Sequence, residues 1–407
     1  MSTYSRPVGF SCCGCEACVA ICPQACLEML EDRDGFLHPF VVDDGCTNCD
    51  LCNRVCPVIN PPPQPQALEN PPVVAAYSND EAIRTLSSSG GVFSVLAREV
   101  INRGGRVYGA AFDSDFALRH VGVDNLQDLQ KLRGSKYVQS RIGTTYQDIR
   151  AQLRTNRQVL LTGTPCQVAG LYAFLGRGYV NLFTCDLVCH GVPSPKVFSH
   201  YLSYLRKKYG AAIESISFRD KRNGWNSFSV TVAFSNGKVY SRHFMQDVFM
   251  RGFLRNLYLQ PACYECPFVG FPRRGDITLA DYWGVGDKHP EFSDDKGTSL
   301  VFINTSKGKG FFDEIEDELT IAHSPREYAI AHNPSITSSY SRPAMRALFF
   351  RDLQRFPFEF IMYKYGLVPI PTGILRMYLV VKQIPSLLLR GVAFVVDRRE
   401  AKREHES

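Results

Sequence analysis

Cys12, Cys15, Cys18 and Cys22 follow a C-x2-C-x2-C-x3-C-P spacing that ends in Pro23, and Cys46, Cys49, Cys52 and Cys56 repeat it up to Pro57. Thiolates at this spacing hold a pair of 4Fe–4S clusters. Three cysteines two residues apart wrap a tight loop round one cubane. The fourth, on the helix that follows, reaches across to the other cluster. The spacing therefore assigns Cys12, Cys15, Cys18 and Cys56 to one cluster, and Cys46, Cys49, Cys52 and Cys22 to the second. Zinc favours CxxC pairs at longer separation, and disulfides need an oxidising compartment, so neither explains the doubled run. Cys13 and Cys26 fall outside the pattern and read as packing thiols.

Cys166, Cys185, Cys189, Cys263 and Cys266 form a second set. Cys166 and Cys189 each follow an apolar run that reads as a strand, and Cys263-Tyr264-Glu265-Cys266-Pro267 is a CxxC before proline. Loops at the carboxyl ends of adjacent strands can converge on one site. Two loop cysteines and a CxxC could hold a third 4Fe–4S cluster or a zinc ion, or act as a redox pair. Cys185 is the remainder.

Clusters move single electrons, and a flavin converts these to two-electron chemistry. Ser87-Ser88-Ser89-Gly90-Gly91 before a helical pattern offers hydroxyls and free N–H groups suited to a pyrophosphate; an ordinary helix cap is the alternative. Gly134-Ser135-Lys136-Tyr137, which could hold a phosphate or an isoalloxazine edge, and Lys296-Gly297-Thr298-Ser299 are further candidate phosphate-contacting loops; a solvated loop is the alternative.

The elements that must position these residues divide the chain. Residues 1–60 form a ferredoxin-like module whose insert reads as a hairpin. Residues 61–72, rich in proline, form an extended linker. From Val73 strands and helices alternate, which predicts an α/β domain over 73–310 with a mixed sheet. Ser235-Asn236-Gly237 between period-two runs predicts a hairpin. Residues 311–407 read as a C-terminal helical extension. The basic, amphipathic runs at 373–382 and 387–399 suit either packing on the body or peripheral docking on a membrane surface or partner. The fold class is therefore α+β and α/β.

The chain has 407 residues, a net charge of +6 and 45% hydrophobic residues. This is ordinary globular composition, and the charge does not point to nucleic acid. Clusters and free thiols predict a cytoplasmic setting. The N-terminus lacks a secretory pattern, and no apolar run reaches the ~18 residues of a membrane span.

Taken in order, Ser89-Gly90-Gly91-Val92-Phe93, Gly134-Ser135-Lys136-Tyr137, Gly163-Thr164-Pro165-Cys166-Gln167, Cys189-His190-Gly191-Val192-Pro193-Ser194, Cys263-Tyr264-Glu265-Cys266 and Asp276-Ile277-Thr278-Leu279-Ala280-Asp281-Tyr282-Trp283-Gly284 resemble the family of the coenzyme F-420 hydrogenase/dehydrogenase beta subunit. The resemblance covers roughly residues 10 to 310. It implies FAD near Ser89, Gly90, Gly91, Ser135, Lys136 and Thr164, and a third 4Fe–4S cluster on Cys166, Cys189, Cys263 and Cys266. His190 and Asp281 then become candidate proton donors beside the flavin. Cys189-His190-Gly191-Val192-Pro193-Ser194-Pro195 is similar to a bacterial branch associated with surface-polysaccharide enzymes.

Two functions follow as expectations. One is a flavin-dependent iron–sulfur oxidoreductase that takes electrons from a ferredoxin-type or reductase donor and passes them to coenzyme F-420 or another organic acceptor. The other is an electron-transfer subunit that relays electrons to a partner enzyme, for instance one in surface-polysaccharide biosynthesis.

Overall fold

The structure, a computed structural model, describes residues 9–42, 45–63 and 67–368. The N-terminal module holds two short helices, Ala17–Ile21 and Leu51–Arg54. Between them lies an antiparallel hairpin of β1 (Leu27–Glu31) and β2 (Leu37–Val41), as expected for the insert.

The large domain is built on a mixed sheet. In chain order its strands are β3 (Val73–Ser78), β4 (Arg106–Phe112), β5 (Leu118–Val123), β6 (Val159–Gly163) and β7 (Leu182–Leu187). A second, smaller sheet contains β8 (Ile213–Asp220), β9 (Ser229–Phe234) and β10 (Val239–His243). The chain then returns to the main sheet with β11 (Ile277–Asp281), β12 (Ser299–Ile303) and β13 (Leu319–His323). Among the described residues the main sheet has eight strands in the order β13-β3-β12-β11-β7-β6-β4-β5. The run β11-β7-β6-β4 is parallel and the flanking pairs are antiparallel.

The parallel strands are buried on both faces, which explains their continuous apolar runs. Leu160 of β6 joins a core with Val95, Leu96 and Val100 of the helix Val92–Asn102. Its neighbour Leu161 faces the opposite core, with Tyr146, Ile149 and Leu171 from the helices Thr145–Arg154 and Pro165–Leu175. That second core also takes in Cys15, Ala17 and Ala20, so the N-terminal module packs directly on the large domain. The hairpin foreseen at Asn236-Gly237 is the β9–β10 connection, with Gly237 at φ 76°.

The boundary at 310 needs correction. β13 pairs antiparallel with β3, so the sheet closes only at residue 323. The helices Arg346–Leu353 and Phe358–Lys364 then pack on the smaller sheet and the helices Pro195–Tyr209 and Val248–Leu254 through Phe349, Phe350, Phe358 and Ile361. The amphipathic runs at 373–382 and 387–399 lie outside the described residues.

Candidate redox site

Cys12, Cys15 and Cys18 of the first motif and Cys56 of the second line one small cavity with Met29 and Pro39. Burial pushes the Cys18 thiol up, and the neighbouring thiols of Cys15, Cys12 and Cys56 push it further, so the four groups converge. Cys22 lies on the other side, where its Sγ is 3.4 Å from that of Cys26. Cys46 acts electrostatically on the same Cys26. Cys46 and Cys49 are exposed, whereas Cys15 is buried.

The second cysteine set is assembled by the sheet. Cys166 sits in the first turn of the helix that follows β6, and Cys189 two residues past β7. Cys263 lies in the 3-10 turn Pro261–Glu265, and Cys266 follows it. Because β6 and β7 are parallel neighbours, both loops leave the same edge. The four thiols line one cavity together with Cys13, His190 and Arg273. Burial pushes Cys189 up to about 12 and Cys266 to about 11. Such thiols are protonated at neutral pH unless a bound cation discharges them. Among the described residues no three or more His, Cys, Asp or Glu side chains are arranged to hold a single metal ion. Cys185 is buried in the core beneath, away from this ring.

Cys13 and Cys166 also line a neighbouring cavity of about 250 Å³. Its rim carries Ser87, Ser88, Ser89 and Gly91 at the start of the Val92 helix, the loop 132–136, and Thr164. Gly91, at φ 93°, turns the chain into the helix, whose first N–H groups lack intrahelical acceptors. Gly90 must be glycine because a Cβ there would stand 2.3 Å from the Ala76 carbonyl. Ser135 N donates to Ser88 Oγ (2.7 Å) and joins the two loops. Lys136 is spent on the loop itself. Its Nζ donates to the carbonyls of Leu132 (3.2 Å), Arg133 (2.8 Å) and Gly134 (3.1 Å), and burial lowers it to about 7. The Lys296–Ser299 loop braces the same rim, since Gly90 N donates to Ser299 Oγ (3.1 Å) and Ser89 Oγ to the Thr298 carbonyl (2.8 Å).

Beyond this cavity opens a chamber of about 690 Å³ that shares Ser135, Lys136, Thr164 and Asp281 with it. Aromatic rings of Tyr137, Phe228, Phe253, Trp283 and Tyr340 form its walls. His190 stacks on Tyr340, and its Nε2 lies 2.7 Å from Asn256 Oδ1. Burial lowers its pKa, so the ring is neutral. Asp281 Oδ1 accepts from Arg219 (3.0 Å) and Trp225 Nε1 (3.2 Å). Arg219 lies over the rings of Phe228 and Trp283, and its Nε is buried without a partner.

Residues 156–327 match the family model for the C terminus of the coenzyme F420 hydrogenase/dehydrogenase beta subunit. Residues 11–60 match the 4Fe-4S dicluster domain. Over these two stretches the chain is similar to the beta subunits of coenzyme F-420 hydrogenases and dehydrogenases. A similar protein is the F subunit of the F(420)H(2) dehydrogenase of Methanosarcina mazei, 25% identical over 333 residues that span 77% of this chain and 85% of that protein. A solved chain of the F420-reducing [NiFe] hydrogenase complex from Methanosarcina barkeri aligns at 19% identity with a TM-score of 0.44. The alignment covers 76% of this chain and 98% of that one.

Sequence reasoning passed over several residues at this site. Cys13 packs against the core of Tyr146 and Leu171, as expected, and also lines the ring and both adjoining cavities. Gln139, with Nε2 buried and unpartnered, and His120 line the 250 Å³ cavity. Gln260 reaches Cys12 O through Nε2 (3.0 Å) and lines both the ring and that cavity. None belongs to a motif. Their only signal is spatial.

Proposed function

We propose that this chain is a flavin-dependent iron–sulfur oxidoreductase, in which Cys166, Cys189, Cys263 and Cys266 hold a third 4Fe–4S cluster and the adjoining cavity holds FAD. The observation that carries the reading is continuity. The thiol ring shares Cys13, Thr164 and Cys166 with the cavity rimmed by Ser87–Gly91, and that cavity opens on an aromatic chamber. When bound, the clusters would carry single electrons and the flavin would exchange two with an organic acceptor such as coenzyme F-420.

The chain's own residues prepare the site. The N–H groups of the Val92 helix, next to Ser88, Ser89, Gly90 and Gly91, suit a pyrophosphate. Ser135 and Lys136 fix the facing loop, and Thr164 closes the side next to Cys166. His190, with Nε2 bonded to Asn256, keeps Nδ1 to accept or return a proton in the chamber. Asp281 orders the wall by holding Arg219 and Trp225. The ring of half-buried thiols round a cavity suits a polynuclear cluster better than one tetrahedral zinc ion.

Anaerobic purification with iron, sulfide and flavin quantification tests this. About 12 iron atoms and one FAD per chain support it, and about 8 iron atoms without flavin overturn it. The second reading, a relay subunit serving a partner enzyme, draws on the exposed Cys46 and Cys49 and on a relative named as part of a dehydrogenase. Dithionite-reduced protein that no small molecule reoxidises until a partner is added would favour it.

A further inference from the structure

A helix N-terminus offers an anion only about half a positive charge, so a pyrophosphate in the cavity rimmed by Ser88, Ser89 and Gly91 calls for a cation as well. Among the described residues that line this cavity, the cationic side chains are Lys136 and Arg133. Lys136 has no donor left. An ammonium carries three N–H donors, and its Nζ donates to the carbonyls of Leu132, Arg133 and Gly134. Arg133 differs. A guanidinium carries five N–H donors. Its Nε donates to Ser94 Oγ (3.0 Å), and among the described residues its Nη groups have no protein partner. Ser94 lies in the first turn of the Val92 helix, so this bond pins the guanidinium beside the helix start that rims the cavity. Leu132, the residue before it, is buried in the core with Val95 and Leu96 of the same helix. Lys136 braces this backbone from the other side, through the Arg133 carbonyl (2.8 Å). Arg98, further along the helix, is tied to Asp80 (3.7 Å) and to Glu318.

A guanidinium pinned through Nε presents its Nη groups as a planar fork, which matches two phosphoryl oxygens at once. We propose that Arg133 is the cation that holds the pyrophosphate of FAD, and that Lys136 is a positioning residue that shapes the loop carrying Arg133. The contact is ionic and hydrogen-bonded, and no covalent bond forms or breaks. This deepens the flavin reading of the cavity and rests on it.

The test uses anaerobically purified full-length protein stripped of flavin. It is titrated calorimetrically with FAD and with riboflavin, which has the ring but no phosphate. Arg133→Gln should bind FAD roughly ten- to hundredfold more weakly than wild type, as expected for losing hydrogen bonds to a charged group, and riboflavin equally well. Arg133→Lys keeps the charge without the fork. It should bind FAD less tightly than wild type and more tightly than Arg133→Gln, with riboflavin unchanged, and it is the variant to read if the glutamine protein does not fold. Lys136→Met should weaken FAD and riboflavin by the same factor, because it loosens the loop and not the anion contact. Added salt should cost the wild type more FAD affinity than it costs Arg133→Gln. Unchanged FAD affinity in the Arg133 variants overturns the proposal, as does an equal loss of FAD and riboflavin, which would make Arg133 part of the scaffold alone. A loss confined to FAD in Lys136→Met would assign the anion to the lysine and overturn it too. If wild-type protein binds neither flavin, the flavin reading of the cavity has failed, and that result is visible before any variant is made.

Discussion

Glu16 and Asp50 hold the same place in the two cysteine motifs, each just after the second ligand, at φ 62° and φ 61°. Gly14 and Asn48 are likewise equivalent, at φ 66° and φ 56°. The backbone is thus wound the same way twice, but the surroundings differ. Glu16 is buried, and its two carboxylate oxygens accept from Ile142 N and Gly143 N of the large domain, each at 2.9 Å. Asp50 is exposed; its side chain accepts from Asn53 of its own turn (2.6 Å) and faces Arg54 at 4.0 Å. A Cβ on Gly14 would meet Gln139 Nε2 at 2.5 Å, while Asn48 carries a full side chain in the open. One motif is docked and the other faces out. The repeat fixes how the ligands wrap; the residues between them fix which site meets the large domain and which meets a donor.

The most drastic way to break this contrast is to remove the crossing ligands. Cys56→Ser should cost the docked site its cluster, although Cys56 belongs to the outward motif, and Cys22→Ser should cost the outward site its cluster. Each variant should lose about four iron atoms. EPR under progressive reduction would then show a different signal missing in each. Loss of the signal belonging to the substituted residue's own motif would mean that the fourth ligand does not cross.

A smaller but still large effect should separate the two acids. Glu16→Ala leaves the buried Ile142 N–H without an acceptor, at about 1–3 kcal/mol, while the more exposed Gly143 N–H can turn to water. The gain from relieving a buried carboxylate offsets part of this, since burial raises the Glu16 pKa against the pull of those N–H groups. A net loss of about 1–2 kcal/mol is expected, read as a lower midpoint in anaerobic denaturant unfolding. Asp50→Ala should stay within about 0.5 kcal/mol of wild type. Equal losses would show that the contrast in docking has no energetic weight.

These pairs also show what a linear reading can reach. The eight motif cysteines are legible because their ligation is set by spacing over a few residues. The hairpin at Asn236-Gly237 is legible for the same reason. Cys166 and Cys189 meet only because β6 and β7 are neighbours in the sheet, and the CxxC at 263 arrives after an excursion through the smaller sheet. β13 follows a helix and a turn, and nothing local says that it pairs with β3 at the far edge. Cys13 looked inert because a motif assigns meaning to its fixed positions and none to the residues between. Here its place comes from the cavities it shares with Cys166, far along the chain.

The docked motif also depends on what stands behind its dock. Segment 139–143, which receives Glu16 and Gly14, is held by His120. The His120 N–H donates to the Arg141 carbonyl (2.7 Å), Nδ1 lies 2.5 Å from Ser140 Oγ, and Nε2 lies 3.1 Å from the Thr162 carbonyl. Burial lowers the His120 pKa to about 4, against 6.5 in an open chain. The unfolded chain therefore takes up a proton that the folded one refuses. The stability contributed by neutral His120 is complete above about pH 6.5 and is lost progressively as pH falls towards 4. At pH 5 the loss should be about 2 kcal/mol. His120→Gln, which cannot titrate, should be less stable at pH 7.5 but should show a flatter dependence between pH 7.5 and 5, measured by anaerobic thermal unfolding. Susceptibility of the docked cluster to chelators should rise over the same interval in wild type, while that of the outward cluster should follow its exposure and change little. Parallel loss of both clusters on acidification would separate His120 from the dock and leave the contrast between the motifs to Glu16 alone.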